Sequence, residues 1–168
     1  MGAAALLLAG VAAGCGREPA APDPVPPIGN ARDARAADPC ALPTGAQLAT
    51  LGITAPGAPT TSSEGRRCEW RAGTGAKTAP DLGITLFVDG GGLATLAANS
   101  EATTSRVRLA GYPALETFTG TGEFCQYDVG IATDQVVMVS LDGGTPDSCT
   151  ALQAVLPAVV ESLPVLTS

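Results

Sequence analysis

The chain has 168 residues and is 45% hydrophobic but only 4% aromatic, with nine Lys and Arg against 16 Asp and Glu and no histidine. That length holds one domain of ordinary size, and the missing histidine excludes Ser-His-Asp and Cys-His nucleophile pairs and imidazole-ligated zinc. A net charge of −7 with no basic stripe argues against a nucleic-acid partner. The acidity is local: residues 1–108 hold all nine basic groups and nine acids, whereas 109–168 hold seven acids and no Lys or Arg.

Met1 to Gly16 carries no charge, and the apolar run Ala3 to Ala13 is shorter than the roughly 20 residues that cross a bilayer. Residues 1–14 therefore read as an export signal peptide. Ala12-Ala13-Gly14-Cys15 resembles the lipobox of bacterial lipoproteins, with Ala12 where leucine is usual. The resemblance implies cleavage before Cys15 and a diacylglycerol on its sulfur, so that the membrane becomes a partner through that lipid. Two or more buried acyl chains, at about 0.8 kcal/mol per methylene, retain a soluble domain where one chain does not. Residues 15–37, with Pro19, Pro22, Pro24, Pro26 and Pro27, read as a lipidated Pro/Ala-rich tether. Residues 38–168 read as the folded, disulfide-stabilised domain.

Within that domain Thr44 and Gln47 have the spacing of a capping box, Leu48 and Leu51 share a helical face, and Gly52 supplies the stop, which predicts a short first helix. A loop rich in Pro, Thr, Ser and Gly runs to Arg66. Cys68 and Trp70 then alternate with Arg67, Glu69 and Arg71 as in a half-buried strand, and Leu82, Ile84, Leu86 and Val88 recur at period two in the next. Asp89-Gly90-Gly91-Gly92 ends that strand, and Leu93, Leu96 and Ala97 suggest a short middle helix. Val107 and Leu109 begin an extended stretch expected to turn at Gly111-Tyr112-Pro113 into Ala114 to Phe118. Cys125, Tyr127, Val129 and Ile131, then Val137, Val139 and Leu141, form a hairpin about Thr133-Asp134-Gln135. Asp147 or Ser148 caps a last helix whose face is Cys149, Leu152, Leu156, Val159 and Leu163, with Pro157 expected to kink or split it. The sum is α+β, an antiparallel sheet of about five or six strands carrying three helices.

Setting Cys15 aside leaves Cys40, Cys68, Cys125 and Cys149, an even number in a chain that reads as exported, and so a disulfide framework. Three connectivities are possible. Cys40 with Cys68 and Cys125 with Cys149 is favoured because each pair joins neighbouring elements across a moderate loop. The rival, a redox pair or thiolate-bound metal, lacks a Cys-x-x-Cys and any zinc or iron-sulfur spacing, although Cys149 near a helix N-terminus would have a lowered pKa.

Asp38-Pro39-Cys40 before a helix ending at Leu51-Gly52, Cys68-Glu69-Trp70, Gly111-Tyr112-Pro113-Ala114, a strand holding Cys125, and Cys149 before a helix ending at Leu163-Pro164 together resemble the actinobacterial lipoprotein family catalogued as domain of unknown function 3558. The resemblance covers Asp38 to Pro164. It implies a lipid-anchored envelope domain with paired cysteines and no established activity; Gln47 stands where the family usually has an acid or polar residue.

Other constellations are weak. Asp142 to Asp147 and Asp89 to Gly92 could offer carboxylates to a hard cation but do not match a twelve-residue calcium loop. Gly73-Thr74-Gly75 and Gly120-Thr121-Gly122 lack the spacing of a phosphate cradle. Glu116, Glu123 and Asp128 lie close to strands and are the candidates for paired carboxylates, and Trp70, Tyr112, Phe118 and Tyr127 could line an apolar pocket, although the core needs them. No catalytic residue, cofactor or metal is assigned. The sequence points to a membrane-anchored extracytoplasmic lipoprotein with a non-enzymatic binding or accessory role toward an envelope protein or a small ligand. A small apolar-ligand carrier and a carboxylate- or cation-dependent enzyme are the alternatives.

Overall fold

The computed structural model describes residues 25–61, 65–71, 80–100, 103–119, 123–143 and 147–167. The expected signal segment, Cys15, both Gly-Thr-Gly motifs and the centre of the Asp142 to Asp147 loop lie outside them. Helix α1 (Gly45–Thr50) precedes strands β1 (Ala58–Thr61), β2 (Arg66–Trp70) and β3 (Asp81–Phe87); helix α2 (Gly92–Ala98) leads to β4 (Thr104–Leu109), β5 (Tyr112–Phe118), β6 (Phe124–Gly130) and β7 (Val136–Asp142), and helix α3 (Ser148–Glu161) follows. The strands form one antiparallel sheet in the order β1-β2-β3-β7-β6-β5-β4, so α2 carries the chain from near one edge to the other and β7 returns to lie beside β3.

The local signals mostly act as their chemistry dictates. Thr44 accepts from the Gln47 N–H at 3.2 Å while the Gln47 side chain accepts from the Thr44 N–H at 2.6 Å, closing the capping box of α1. Before it, a single 3₁₀ turn at Pro39–Ala41 is capped by Asp38, which accepts from the Cys40 N–H. Cys40 is bonded to Cys68, tying that turn to β2, and Cys125 to Cys149, tying β6 to α3; the loops so closed span 28 and 24 residues. In the chain-entropy account each bridge contributes about 3.5 kcal/mol.

Three expectations are corrected. The described sheet has seven strands, not five or six, because Ala58-Pro59-Thr60-Thr61, which reads as loop, pairs with β2 as an edge strand; an edge needs hydrogen bonds on one side only and tolerates Pro59. The β4–β5 turn is Ala110-Gly111, not Gly111-Tyr112-Pro113. Both residues have positive φ, 50° and 87°, as a two-residue hairpin turn requires. Pro113 then lies inside β5, at a point where pairing with β6 has not begun, since that ladder starts at Ala114. Finally, α3 runs unbroken through Pro157. Burial of Leu152, Val155, Leu156, Val159 and Val160 on one side of α3 outweighs the single backbone hydrogen bond that proline removes.

Strand alternation gives the sheet two unlike faces. Cys68, Trp70, Leu82, Ile84, Leu86, Cys125, Tyr127, Val129, Val137, Val139 and Leu141 point to one face and are buried beneath α3, α1 and the 3₁₀ turn. On the other, α2 covers only a corner, where Leu93 and Ala97 meet Leu115 and Val136.

Packing begins upstream of Asp38. Residues 30–34 lace the β6–β7 turn to the chain that leaves α3: the Arg32 N–H donates to Ile131 O at 2.9 Å, Asp33 N–H to Pro164 O at 2.8 Å, Leu166 N–H to Ala31 O at 2.9 Å, and Ala34 N–H to Gln135 Oε1 at 2.7 Å. The Arg32 guanidinium donates to Leu163 O at 2.9 Å, Glu161 O at 3.2 Å and Tyr112 Oη at 3.1 Å, placing a cation where the last carbonyls of α3 concentrate negative charge. Arg32→Ala is expected to lower unfolding stability by about 2 kcal/mol, read as a reduced urea midpoint at constant slope. An unchanged midpoint would show that these bonds carry no net stability.

Candidate functional site

The less covered face is laid out by the strand register. One row runs Thr60, Arg67, Thr85, Met138, Asp128, Leu115, Arg106 across all seven strands, and the next runs Ala58, Glu69, Gly83, Ser140, Gln126, Thr117, Thr104. Hydroxyl, amide, carboxylate and guanidinium groups thus replace the aliphatic rows of the opposite face.

Arg67 organises the β2–β3 end of this surface. Its Nε donates to Glu69 Oε1 at 2.8 Å and its Nη1 to Thr85 Oγ1 at 3.2 Å, so the guanidinium lies across β3. Gly83 is what lets it lie flat: a Cβ there would fall 2.6 Å from Arg67 Nη2 and 2.8 Å from Ser140 Oγ. Arg71 and Arg67 together hold the Glu69 carboxyl below its ordinary range. The pairs are partly exposed and contribute little stability; their effect is to fix where Arg67 points.

Beside Arg67 opens a groove of about 1170 Å³, bounded by Ala36 to Pro39, by Pro59 and Thr60, by Phe87 to Gly90 and by Met138. Its polar groups are the guanidiniums of Arg66 and Arg67, the carboxylates of Asp38 and Asp89, and the hydroxyl of Thr60. Arg66 is held from behind by Ala34 O and Ala37 O. Thr60 Oγ1 is buried and has no hydrogen-bond partner among the described residues, an arrangement that costs free energy unless something supplies the partner. With guanidiniums and carboxylates together, the groove offers hydrogen bonds of both polarities.

The acids singled out from sequence do not meet. Glu116 lies on the α3 face, where Oε2 accepts from Tyr127 Oη at 2.8 Å, and Asp128 lies on the other, opposite Leu115. Glu123 precedes β6, where its backbone carbonyl accepts from Ser148 Oγ. Two carboxylates separated by a sheet cannot flank one glycosidic bond. Trp70, Tyr112 and Tyr127 are core and Phe118 is exposed, so no aromatic pocket forms. Burial, together with the Glu116 contact, pushes the Tyr127 phenol up to about 12, although the Gln153 amide donates to it. Among the described residues no group of three or more His, Cys, Asp or Glu is placed to hold a metal ion. Sequence reasoning missed Arg67, Gly83 and Thr60, because their grouping depends on β1 and on the β2–β3 register; the only linear signal was a glycine interrupting the apolar run of β3.

A family model described as "Protein of unknown function (DUF3558)" matches residues 10–162, and the chain belongs to that family. No curated protein matches it. Among solved structures, a crystal structure from Bacteroides thetaiotaomicron VPI-5482 at 1.50 Å is similar at 11% identity with a TM-score of 0.41, over 60% of this chain and 40% of that one.

Asp128 is the titratable group on this face with the largest departure from ordinary behaviour. It is 6% exposed, and among the described residues its carboxylate accepts from the Gln126 amide, at 3.1 and 3.2 Å. Burial pushes its pKa up to about 6, against the lowering effect of Gln126. The folded state therefore binds the proton more tightly than the unfolded chain, and this residue's contribution to stability falls as pH rises from about 4 to about 6, by roughly 3 kcal/mol in all. Asp128→Asn, which mimics the protonated form, is expected to be about 2–3 kcal/mol more stable than the parent at pH 7 and to converge with it near pH 4, measured by urea unfolding. A constant difference between the two proteins across that window would show that Asp128 is not desolvated in solution.

Proposed function

We propose that this member of the DUF3558 family is a lipid-anchored, extracytoplasmic domain that binds a ligand through the polar face of its sheet. The observation that carries the binding reading is the Arg67 groove, a large concavity beside a guanidinium that Gly83 lets lie flat, in which the buried Thr60 hydroxyl lacks a partner among the described residues. Large open concavities with a few convergent polar groups are the usual form of binding sites. A ligand able both to donate and to accept fits the paired arginines and aspartates better than a purely anionic or purely apolar one. A broad apolar docking surface is not supported, since Phe118 and Val165 are the exposed large hydrophobics among the described residues.

Two features support that compartment. Two disulfides suit an oxidising environment outside the cytosol, and Ala-Ala-Gly-Cys15 ends an apolar run of the kind that directs export and lipidation. Contact with the domain begins at Val25, which packs beside Leu93 and Leu115, ten positions after Cys15. Fully extended, that stretch spans at most about 35 Å, which keeps the domain close to the membrane.

Two measurements test this. The parent should partition into the detergent phase, and Cys15→Ala should appear in the medium or remain unprocessed; partition of the variant indistinguishable from the parent would refute the anchor. A photoreactive residue at Asp89, on the groove, should form adducts in the native envelope, and one at Ala154, exposed on α3, should not. Equal labelling from both positions would remove the groove as the binding site.

A further inference from the structure

We propose a second site at the opposite edge of the sheet, an apolar slot that takes a single-chain anionic amphiphile such as a fatty carboxylate. The slot measures about 290 Å³ and lies between α2 and the β4–β5 hairpin. That is the lower end of the range for small-molecule sites, enough for one acyl chain and too small for a diacyl lipid. The inference concerns a different surface from the Arg67 groove and stands or falls apart from it.

Register and burial build the slot. Leu115 and Pro113 on β5 are buried and lie directly opposite Arg106 and Arg108 on β4, so each guanidinium rises from the same face beside an apolar residue. Leu93 of α2 closes the floor. Gly130 permits this, since a Cβ there would sit 3.0 Å from Leu93 Cβ and 3.5 Å from Pro113 Cγ. Val25 and Pro26 form the remaining wall.

The exposed members of the lining are Arg106, Arg108 and Pro26. Charge therefore stands at the rim and hydrocarbon inside, which is the polarity of a carboxylate-headed chain and the opposite of what a cationic amphiphile needs. Arg108 also donates to Gly111 O, which holds its guanidinium at the hairpin turn. These are the last two basic residues of the chain, and a net charge of −7 would repel an anion anywhere else on the acidic half. Val25 follows Cys15 by ten positions, at most about 35 Å of extended chain, so a membrane holding the anchor would also present amphiphiles to the slot.

The test uses the full chain carrying Cys15→Ala with its disulfides intact, titrated calorimetrically with octanoate, decanoate and dodecanoate below their micelle concentrations. Saturable 1:1 binding is expected, tightening about fourfold per added methylene until the slot is full. Dodecyltrimethylammonium, with the same tail and the opposite head, should not bind. The double variant Arg106→Gln/Arg108→Gln should lose about tenfold or more for dodecanoate while still unfolding cooperatively with both disulfides intact. Equal binding of both head groups, undiminished binding by the double variant, or no saturable binding would each overturn the proposal. Arginines that serve only to deter strand pairing at an exposed edge would appear as self-association of the double variant without any carboxylate binding by the parent.

Discussion

A seven-stranded sheet presents two faces, and a chain with 4% aromatic residues has apolar material to bury only one of them. That shortage governs the rest. The amphipathic α3 and the short α1 seal the face built from Ile84, Val139, Tyr127 and their neighbours. The seven-residue α2 closes a corner of the other. What stays open must be polar to remain soluble, and those polar rows contain the Arg67 groove and the buried Asp128. The proposed binding surface thus lies beside the part of the sheet for which the sequence has no second layer.

A core of this kind is reinforced at its rim. The disulfides fix the 3₁₀ turn to β2 and β6 to α3, so each joins a helical element to the sheet. Arg32 does the same without covalent chemistry, joining the entering chain, Tyr112 and the carbonyls at the end of α3. The entering chain at residues 30–34 and the chain that leaves α3 are therefore fastened together.

Much of the fold could be read from the sequence because its signals are local. The Thr44/Gln47 box, the hairpin from Cys125 to Leu141 and the C-terminal helical face need only neighbours within a few residues to express themselves. Pairing of the cysteines was legible too, since each bridge closes a moderate loop. Non-local facts were hidden. Ala58 to Thr61 carries no strand signal and becomes one only because β2 offers it a ladder. Pro157 looks like a break until the buried face on both sides of it is counted, and Ala110 gives no hint that it will take positive φ. The site suffered most: Asp128 reads as an ordinary acid on a polar strand face, and its burial is set between Leu115 and Met138 on the neighbouring strands rather than by its own segment.

Two concavities, the larger of mixed polarity beside Arg67 and the smaller apolar with a cationic rim beside the β4–β5 hairpin, are the surfaces on which the proposed recognition rests. Its placement outside the cytosol, lipidated and oxidised, is the central claim, and one intact mass of the protein isolated from the envelope under non-reducing conditions tests it most directly. The account predicts a chain beginning at Cys15, heavier by a diacylglyceryl group and lighter by four hydrogens for two disulfides. A mass corresponding to all 168 residues with unmodified, reduced cysteines would contradict it.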